Sequence, residues 1–150
     1  MECETRRAIE DDALDISKVI IAALRETNAR DYPSSVIERV EQSFSPDAVR
    51  ELIGKRRAFV AVMGQRIVGT ASLDGGWVRT VFVEPGVQGR GIGRLLMGEV
   101  ERAAREAGLV TLSVPSTVTA EPFYAKLGFK VLRDSYYGEE RTIIMERSLT

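Results

Sequence analysis

A run of glycines at alternate positions is the most distinctive chemical feature of the sequence. The run Gln-Gly-Arg-Gly-Ile-Gly at residues 88–93 follows a short apolar strand pattern at residues 81–83 and leads directly into an amphipathic helix pattern. Glycine lets the main chain come close to a ligand, and the first N–H groups of a helix point outward with the positive end of the helix dipole behind them. The segment therefore predicts a site for an anionic phosphate group.

The spacing of this run excludes two familiar nucleotide motifs. A mononucleotide P-loop requires Gly-Lys followed by Ser or Thr, whereas Gly93 is followed by Arg94 and Leu95. The dinucleotide fingerprint requires a third glycine three residues after the second. Arg94 or Leu96 stands there, depending on the glycine pair from which the count begins. The phosphate ligand must therefore be recognised by another arrangement.

Two strings in the sequence carry a family resemblance. Gln88, Gly91 and Gly93 form the pattern Gln-x-x-Gly-x-Gly, and residues 123–129 read Phe-Tyr-Ala-Lys-Leu-Gly-Phe. In this order the strings resemble the GCN5-related N-acetyltransferase (GNAT) superfamily, whose signature is Arg or Gln, two residues, Gly, one residue, then Gly or Ala. Because the surrounding elements cover nearly the whole chain, the resemblance implies one N-acetyltransferase domain over residues 1–150. The alternative is a tight glycine turn without a ligand.

The resemblance implies that acetyl-coenzyme A (acetyl-CoA) is the cosubstrate and enters a cleft in the sheet. The strand before the loop then pairs with the pantetheine arm, and loop amides hold the diphosphate. The implied cofactor-binding residues are Val81, Phe82, Val83, Gln88, Gly89, Arg90, Gly91, Ile92, Gly93, Arg94 and Thr117. Thr117 stands roughly where many family members carry an asparagine that contacts the cofactor. The Thr117 hydroxyl could make this contact, or it could instead cap the next helix.

Tyr124 matches the phenol that serves as general acid in the family, close to the thioester sulfur. Acetyl transfer requires a thioester beside a neutral nitrogen, stabilisation of the oxyanion, and a proton for the departing thiolate. A phenol with a pKa near 10 can protonate a thiolate whose thiol pKa is about 8.5 when the geometry helps. The alternative is a tyrosine packed between helix and sheet, with its hydroxyl bonded to the main chain.

A general base is harder to identify from the sequence. Family members often carry a glutamate on the fourth strand, but residues 77–80 read Trp-Val-Arg-Thr. Asp74, just before a Gly-Gly turn, is the candidate, and Glu84 after the strand is a second one. The alternative to a catalytic role, for each carboxylate, is an ordinary solvated position in a turn. A water chain or an amine that arrives neutral would also serve.

Several side chains are candidates for contact with the ligands. Arg90 and Arg94 flank the proposed anion site, with an ordinary solvated position as their alternative. Trp77 and Tyr32 are candidates for lining an acceptor pocket. The alternative for both is packing in the core or at an interface. The resemblance implies that residues 31–44 border the acceptor, which we expect to be a small-molecule or peptide amine.

Two other functions fit the same motifs. A non-catalytic acyl-CoA sensor keeps the glycine loop without needing an acid, and an acyltransferase for longer acyl chains needs only a wider tunnel. Dimerisation is common in the family, so a homodimer is an option that no feature of the sequence decides.

Composition narrows the class of protein. The 150 residues carry a net charge of −1, which argues against a nucleic-acid partner. With no histidine and one cysteine, a transition-metal site is not expected. The longest apolar run, residues 19–24, is far shorter than the roughly 20 residues that span a membrane. Because the acidic start is unlike a signal peptide, we expect a cytoplasmic protein without a membrane partner.

The elements that position these residues follow from apolar periodicity and turn residues. Strands are expected at residues 4–9, 58–63, 66–73, 77–83, 110–114, 129–133 and 141–147, and helices at residues 13–26, 33–44, 46–55, 92–107 and 116–126. This order predicts an α+β fold, an α/β-type three-layer arrangement of helices on a mixed, mostly antiparallel sheet. The resemblance implies seven strands that splay apart between the fourth and fifth.

Four local features are also expected. Asp11 or Asp12 is a plausible N-cap of the first helix. The strand at residues 110–114 reads as buried on both faces, and Pro115 is expected to end it. Ser116 or Thr117 is the expected cap of the next helix, and residues 136–138 are expected to form a turn.

Overall fold

The computed structural model describes residues 2–150; Met1, the first residue of the predicted domain, lies outside them. The strands are β1 (Cys3–Arg7), β2 (Arg57–Met63), β3 (Arg66–Asp74), β4 (Trp77–Val83), β5 (Thr111–Thr117), β6 (Lys130–Tyr137) and β7 (Glu140–Ser148). The helices are α1 (Ala13–Glu26), α2 (Ser34–Gln42), α3 (Pro46–Lys55), α4 (Ile92–Glu106) and α5 (Glu121–Lys126). Short 3₁₀ turns lie at Glu10–Asp12, Asn28–Arg30 and Pro85–Val87.

The strands form a mixed seven-stranded sheet with the order β1-β2-β3-β4-β5-β7-β6. Strands β4 and β5 are parallel, and every other neighbouring pair is antiparallel. This architecture confirms the predicted α+β fold with a mostly antiparallel sheet. Within residues 2–150, no helix is both long enough and apolar enough to cross a membrane.

The sheet opens between β4 and β5. The two strands pair at one position, Trp77 with Ser113, where the Ser113 N–H donates to the Gly76 carbonyl at 3.0 Å. Further along β4, residues 78–83 have no pairing partner on β5. The splay between the fourth and fifth strands is therefore confirmed, and the cleft leads toward the end of β4 at Val83.

Two apolar clusters lie on the two faces of the sheet. One packs α4 against the inner strands through buried residues such as Leu96, Val100 and Leu112. The other packs α1 and α3 against β2 through residues such as Ile20 and Val60. The helices thus fix both faces of β4, while the edge of β4 that faces β5 stays open.

Pro115 does not end β5, contrary to expectation, and the strand continues to Thr117. The Ser113 N–H points toward β4, so the nitrogen of Pro115, two residues later, points the same way. Because β4 has already separated from β5 there, the proline leaves no hydrogen bond unmade. The strand is also not buried on both faces: Val110 is 62% exposed, and burial alternates along β5.

Other local features also differ from expectation. Helix α5 begins at Glu121 with Ala120 at its N-cap, rather than at Ser116 or Thr117. Strand β6 extends through Tyr137, so that residues 136–137 lie in the strand and the turn centres on residues 138–139. Asp12 occupies the N-cap position of α1, but its side chain makes no capping hydrogen bond.

Candidate functional site

The glycine loop joins β4 to α4 and is exposed to solvent. Gly89 and Gly91 have φ angles of 81° and 80°, in the left-handed region that favours glycine. A Cβ atom at either position would meet nothing within 4 Å, so the requirement for glycine is conformational rather than steric. Gly91 is the N-cap of α4, and no side chain caps the helix.

The main-chain donors of this loop are free. Among the described residues, the N–H groups from Gly89 to Arg94 donate to no main-chain carbonyl, and the next N–H, that of Leu95, donates to Gly91. The first turn of α4 carries no acidic side chain that could accept hydrogen bonds from these N–H groups. Free N–H groups at the positive end of a helix dipole bind anions. The loop is therefore suited to hold a phosphate or diphosphate.

The side chain of Gln88 holds the loop to neighbouring elements. Its amide nitrogen donates to the Val83 carbonyl at 3.1 Å and to the Thr27 hydroxyl at 3.3 Å. Arg90 and Arg94 are both exposed, and neither forms an ion pair with another of residues 2–150. The loop thus presents two exposed positive charges beside its free donors.

The last residues of β4 direct their side chains to the two faces of the sheet. Val81 and Val83 pack against the α4 cluster, whereas Phe82 packs edge-on against Phe44, with ring centres 6.0 Å apart. The main chain of residues 81–83 is left at the open edge toward β5. An extended ligand can pair with such an edge as an added strand does.

A bulge distorts β4 just before this edge. Thr70 pairs with Phe82 but Ser72 pairs with Arg79, so β4 has one residue more than β3 in this interval. Thr80, inside the bulge, has a φ of 57°, and its hydroxyl accepts a hydrogen bond from Nη1 of Arg56 at 3.1 Å. Neither Arg56 nor the bulge is predicted from the sequence. No local signal marks them, because the bulge depends on the register of two strands.

Tyr124 lies in the first turns of α5, in the apolar cluster that α4 forms with the sheet. Its ring packs edge-on against Phe123 and Phe129, with ring centres 5.1 and 5.5 Å apart. Burial raises the pKa of the Tyr124 phenol, and no hydrogen bond or charge among the described residues offsets that effect. The hydroxyl therefore keeps its proton. The packing alternative requires a hydrogen bond from this hydroxyl to the main chain, and the described residues make none.

The two candidate bases lie at opposite ends of β4. Asp74 ends β3 beside Trp77, its side chain is 51% exposed, and Oδ2 lies 3.8 Å from Nε of Arg56. Glu84 follows β4 next to the glycine loop, where it forms an ion pair with Arg66. Asp74 is thus near the bulge of β4 rather than near the loop.

The remaining predicted residues have defined contacts. The Thr117 hydroxyl accepts from the Ala120 N–H at 3.1 Å, which closes the turn before α5. The Tyr32 hydroxyl donates to the Arg141 carbonyl at 2.6 Å and accepts from the Val118 N–H at 2.8 Å, and burial raises the pKa of this phenol. In the described part of the chain, no three His, Cys, Asp or Glu side chains cluster as metal ligands would.

Comparison with known proteins identifies a family profile and two relatives that match the chain. The family profile described as "Acetyltransferase (GNAT) domain" matches residues 28–145. The uncharacterized N-acetyltransferase YafP of Escherichia coli (strain K12) is 24% identical over 122 residues, which cover 81% of this chain and 77% of that protein. The peptidyl-lysine N-acetyltransferase YjaB of Salmonella typhimurium (strain LT2) is 37% identical over 87 residues, which cover 57% of this chain and 58% of that protein.

Solved structures show the same fold. A GCN5-related N-acetyltransferase of Rhodopseudomonas palustris superposes with a TM-score of 0.93 at 21% identity, covering 99% of this chain and 96% of that one. The PaiA N-acetyltransferase of Thermoplasma acidophilum, solved in complex with coenzyme A, superposes with a TM-score of 0.84 at 20% identity, covering 99% of both chains. A splayed sheet, a glycine loop with free donors and a family match over residues 28–145 lead to one conclusion: the chain belongs to the GNAT family of N-acetyltransferases.

Proposed function

We propose that the protein uses acetyl-CoA to acetylate a primary amine, which attacks the thioester directly. The observation that carries this proposal is the row of free N–H groups from Gly89 to Arg94 beside the open edge of β4. The acceptor is the amine of a small molecule or a peptide. The relative named as a peptidyl-lysine N-acetyltransferase supports the peptide, over the part of the chain that it matches.

The residues at the cleft fit the coenzyme. The N–H of Gln88 already donates to the Pro85 carbonyl at 3.4 Å, so the free N–H groups from Gly89 to Arg94 would hold its diphosphate. The main chain of residues 81–83 would pair with its pantetheine arm. The complex of PaiA with coenzyme A supports this assignment, because that protein shares the fold. Thr117 is a weaker candidate for contact, since its hydroxyl already accepts a hydrogen bond. When bound, acetyl-CoA supplies an acetyl group activated as a thioester.

Tyr124 is the proposed general acid. Its hydroxyl holds a proton that burial makes harder to lose, and hydrogen bonding within the described residues does not occupy it. The role is to deliver this proton to the sulfur that leaves. The α5 helix that carries Tyr124 packs on the first turn of α4 through Phe123, so that the acid and the anion site are held in one rigid unit.

Asp74 is the proposed general base. Its exposed carboxylate lies close to the bulge of β4 and is held only loosely, at 3.8 Å from Arg56. It can therefore accept a proton from an amine that enters on this side of the sheet. Glu84 is the weaker candidate, because its ion pair with Arg66 occupies the carboxylate. An amine that arrives neutral would need neither residue.

Thiol release from acetyl-CoA, measured against a panel of peptides and small amines, tests the proposed function. We expect release that depends on the amine, with a product heavier by one acetyl group in mass spectrometry. Coenzyme A binding without release for any amine would instead favour a sensor. Faster release from longer acyl-CoA thioesters than from acetyl-CoA would show that the acyl group has been assigned wrongly.

A further inference from the structure

Two arginines lie on the face of the sheet that α1 and α3 cover. Arg56 follows α3, and its side chain is 17% exposed. Arg79 lies on β4 opposite Ser72, whose side chain is on the same face. The Arg79 guanidinium lies over the Trp77 ring, 5.5 Å from its centre, and its Nε is buried without a hydrogen-bond partner.

These charges are poorly compensated by the protein. The nearest carboxylate to Arg56 is that of Asp74, 3.8 Å from Nε and half exposed, and Arg79 forms no ion pair with any of residues 2–150. Burial lowers the pKa of Arg56, and the charge of Arg79 lowers it further, while Asp74 opposes the change. Partly buried charges are usually paired, so these two guanidinium groups are able to bind a further anion.

A small cavity lies beside Arg56. Arg56 and Thr80 line it together with Thr70, Ser72 and apolar side chains of α1 and α3, and its volume of about 20 Å³ is room for about one water molecule. Thr80 holds a strained φ of 57° at this point, and such strain is found at ligand sites. The cavity adjoins the bulge of β4, directly before the edge at residues 81–83. It is thus next to the edge at which we propose that the pantetheine arm pairs.

We propose that Arg56 and Arg79 bind a carboxylate of the acceptor, which is an amine that carries a carboxylate close to its reactive nitrogen. This inference rests on the proposed function. A guanidinium presents paired N–H donors that match a planar carboxylate, and no carboxylate among residues 2–150 forms an ion pair with that of Arg79. The small volume of the cavity favours a carboxylate over the larger phosphate, and the Trp77 ring lies against the Arg79 guanidinium.

The test uses paired acceptors that differ only in charge: amino acids and their carboxamides, with aminoalkyl phosphonates as a third arm. Thiol release from acetyl-CoA gives kcat and KM, and ligand-observed NMR gives binding without turnover. We expect kcat/KM for the acid to exceed that for the amide by about tenfold or more, as for charge-assisted hydrogen bonds. Arg79→Gln should remove this preference by raising KM, and Arg79→Lys should restore it only in part.

Arg50→Gln is the matched control, because Arg50 is an exposed arginine of α3 that forms an ion pair with Asp47. It should keep the preference for the acid, and thermal unfolding should show that all three variants remain folded. Equal use or binding of acid and amide, or an Arg79→Gln variant with the wild-type preference, would overturn the inference. A preference for phosphonates would overturn it as well.

The two proposals fail in different ways. If amines without a carboxylate are acetylated while the acids neither bind nor react, the carboxylate site is wrong and the proposed function stands. If acids bind in an Arg79-dependent manner but no amine releases thiol, the carboxylate site stands and the proposed function is wrong. If acids do not bind and no amine reacts, both are wrong.

Discussion

Gly93, in the first turn of α4, packs directly against Phe123 of α5. A Cβ atom at residue 93 would lie 3.1 Å from two carbons of the Phe123 ring, closer than ordinary contact. This approach joins the glycine loop to the segment that carries Tyr124, so the two strings of the family resemblance meet in space. The third glycine of the run thus has a packing role, unlike Gly89 and Gly91.

Replacement of Gly93 by alanine tests this contact. Gly98, further along α4, is the matched control, since a Cβ there would meet nothing within 4 Å. Gly98→Ala should stabilise the protein by about 1 kcal/mol through helix propensity. Gly93→Ala should be less stable than Gly98→Ala by about 1–3 kcal/mol because the added methyl crowds Phe123. Chemical denaturation measures the free energy of unfolding of both variants. Equal values would show that the contact between residue 93 and Phe123 can accept a methyl group without strain.

Tyr124→Phe should lower kcat by about 100-fold if the phenol is the general acid. Burial raises the pKa of the phenol above its usual 10, so the acid form persists and the loss should be the same from pH 7 to about pH 10. Thermal stability should change little, because the hydroxyl has no hydrogen bond to the described residues. A kcat that stays within about threefold of wild type at every pH would exclude the role.

Asp74→Asn tests the general base, with Glu84→Gln as its counterpart at the other end of β4. If Asp74 accepts the proton, its variant should lower kcat/KM by about 100-fold near neutral pH. Glu84→Gln should keep most activity, because that carboxylate is paired with Arg66. The reverse order would assign the base to Glu84. Full activity in both variants would indicate an amine that arrives neutral.

Acid stability should depend on Asp12. The hydrogen bond from Arg6 lowers the pKa of this buried carboxyl, and the Ile9 N–H lowers it further against the opposing effect of burial. A carboxyl whose pKa is lower when folded stabilises the protein above its unfolded pKa of about 3.9, and that stability is lost as the pH falls below it. Asp12→Asn should therefore cost about 2 kcal/mol at pH 7 and much less near pH 2.

The exposed Asp11 supplies the control for this measurement. Asp11→Asn should change the free energy of unfolding by no more than about 0.5 kcal/mol at either pH value, since the exposed Asp11 carboxylate forms no ion pair with any of residues 2–150. A loss of stability for Asp12→Asn that is the same at pH 2 and pH 7 would show that the ionised carboxylate is not the stabilising form.

The sequence predicts the parts of the site that depend on local chemistry. Glycines in a strand–turn–helix context specify the loop, because the φ requirement and the free N–H groups arise within a few residues. The sequence also predicts the order of elements from periodicity. It does not predict the extension of β5 through Pro115, since that depends on a neighbouring strand that has moved away.

Long-range contacts account for what the sequence does not predict. The bulge at Thr80 follows from the pairing of β3 with β4, and its contact with Arg56 joins residues from separate elements. The Tyr32 hydroxyl bridges residue 118, just after β5, and residue 141 of β7, as its packing alternative predicts. Asp12 takes the expected N-cap position of α1, but its carboxylate pairs with Arg6 rather than capping the helix. Each of these partners is fixed by packing, which local patterns do not encode.

Calorimetry with coenzyme A and with pantetheine, which lacks the diphosphate, measures what the glycine loop binds. We predict that coenzyme A binds at least about tenfold more tightly than pantetheine, because charge-assisted hydrogen bonds to the loop contribute about 1.5–3 kcal/mol each. Gly91→Ala should weaken coenzyme A alone, since alanine at a φ of 80° costs about 1–2 kcal/mol. No heat with coenzyme A at millimolar concentration, or equal affinity for pantetheine, would contradict the assignment of the loop as the diphosphate site.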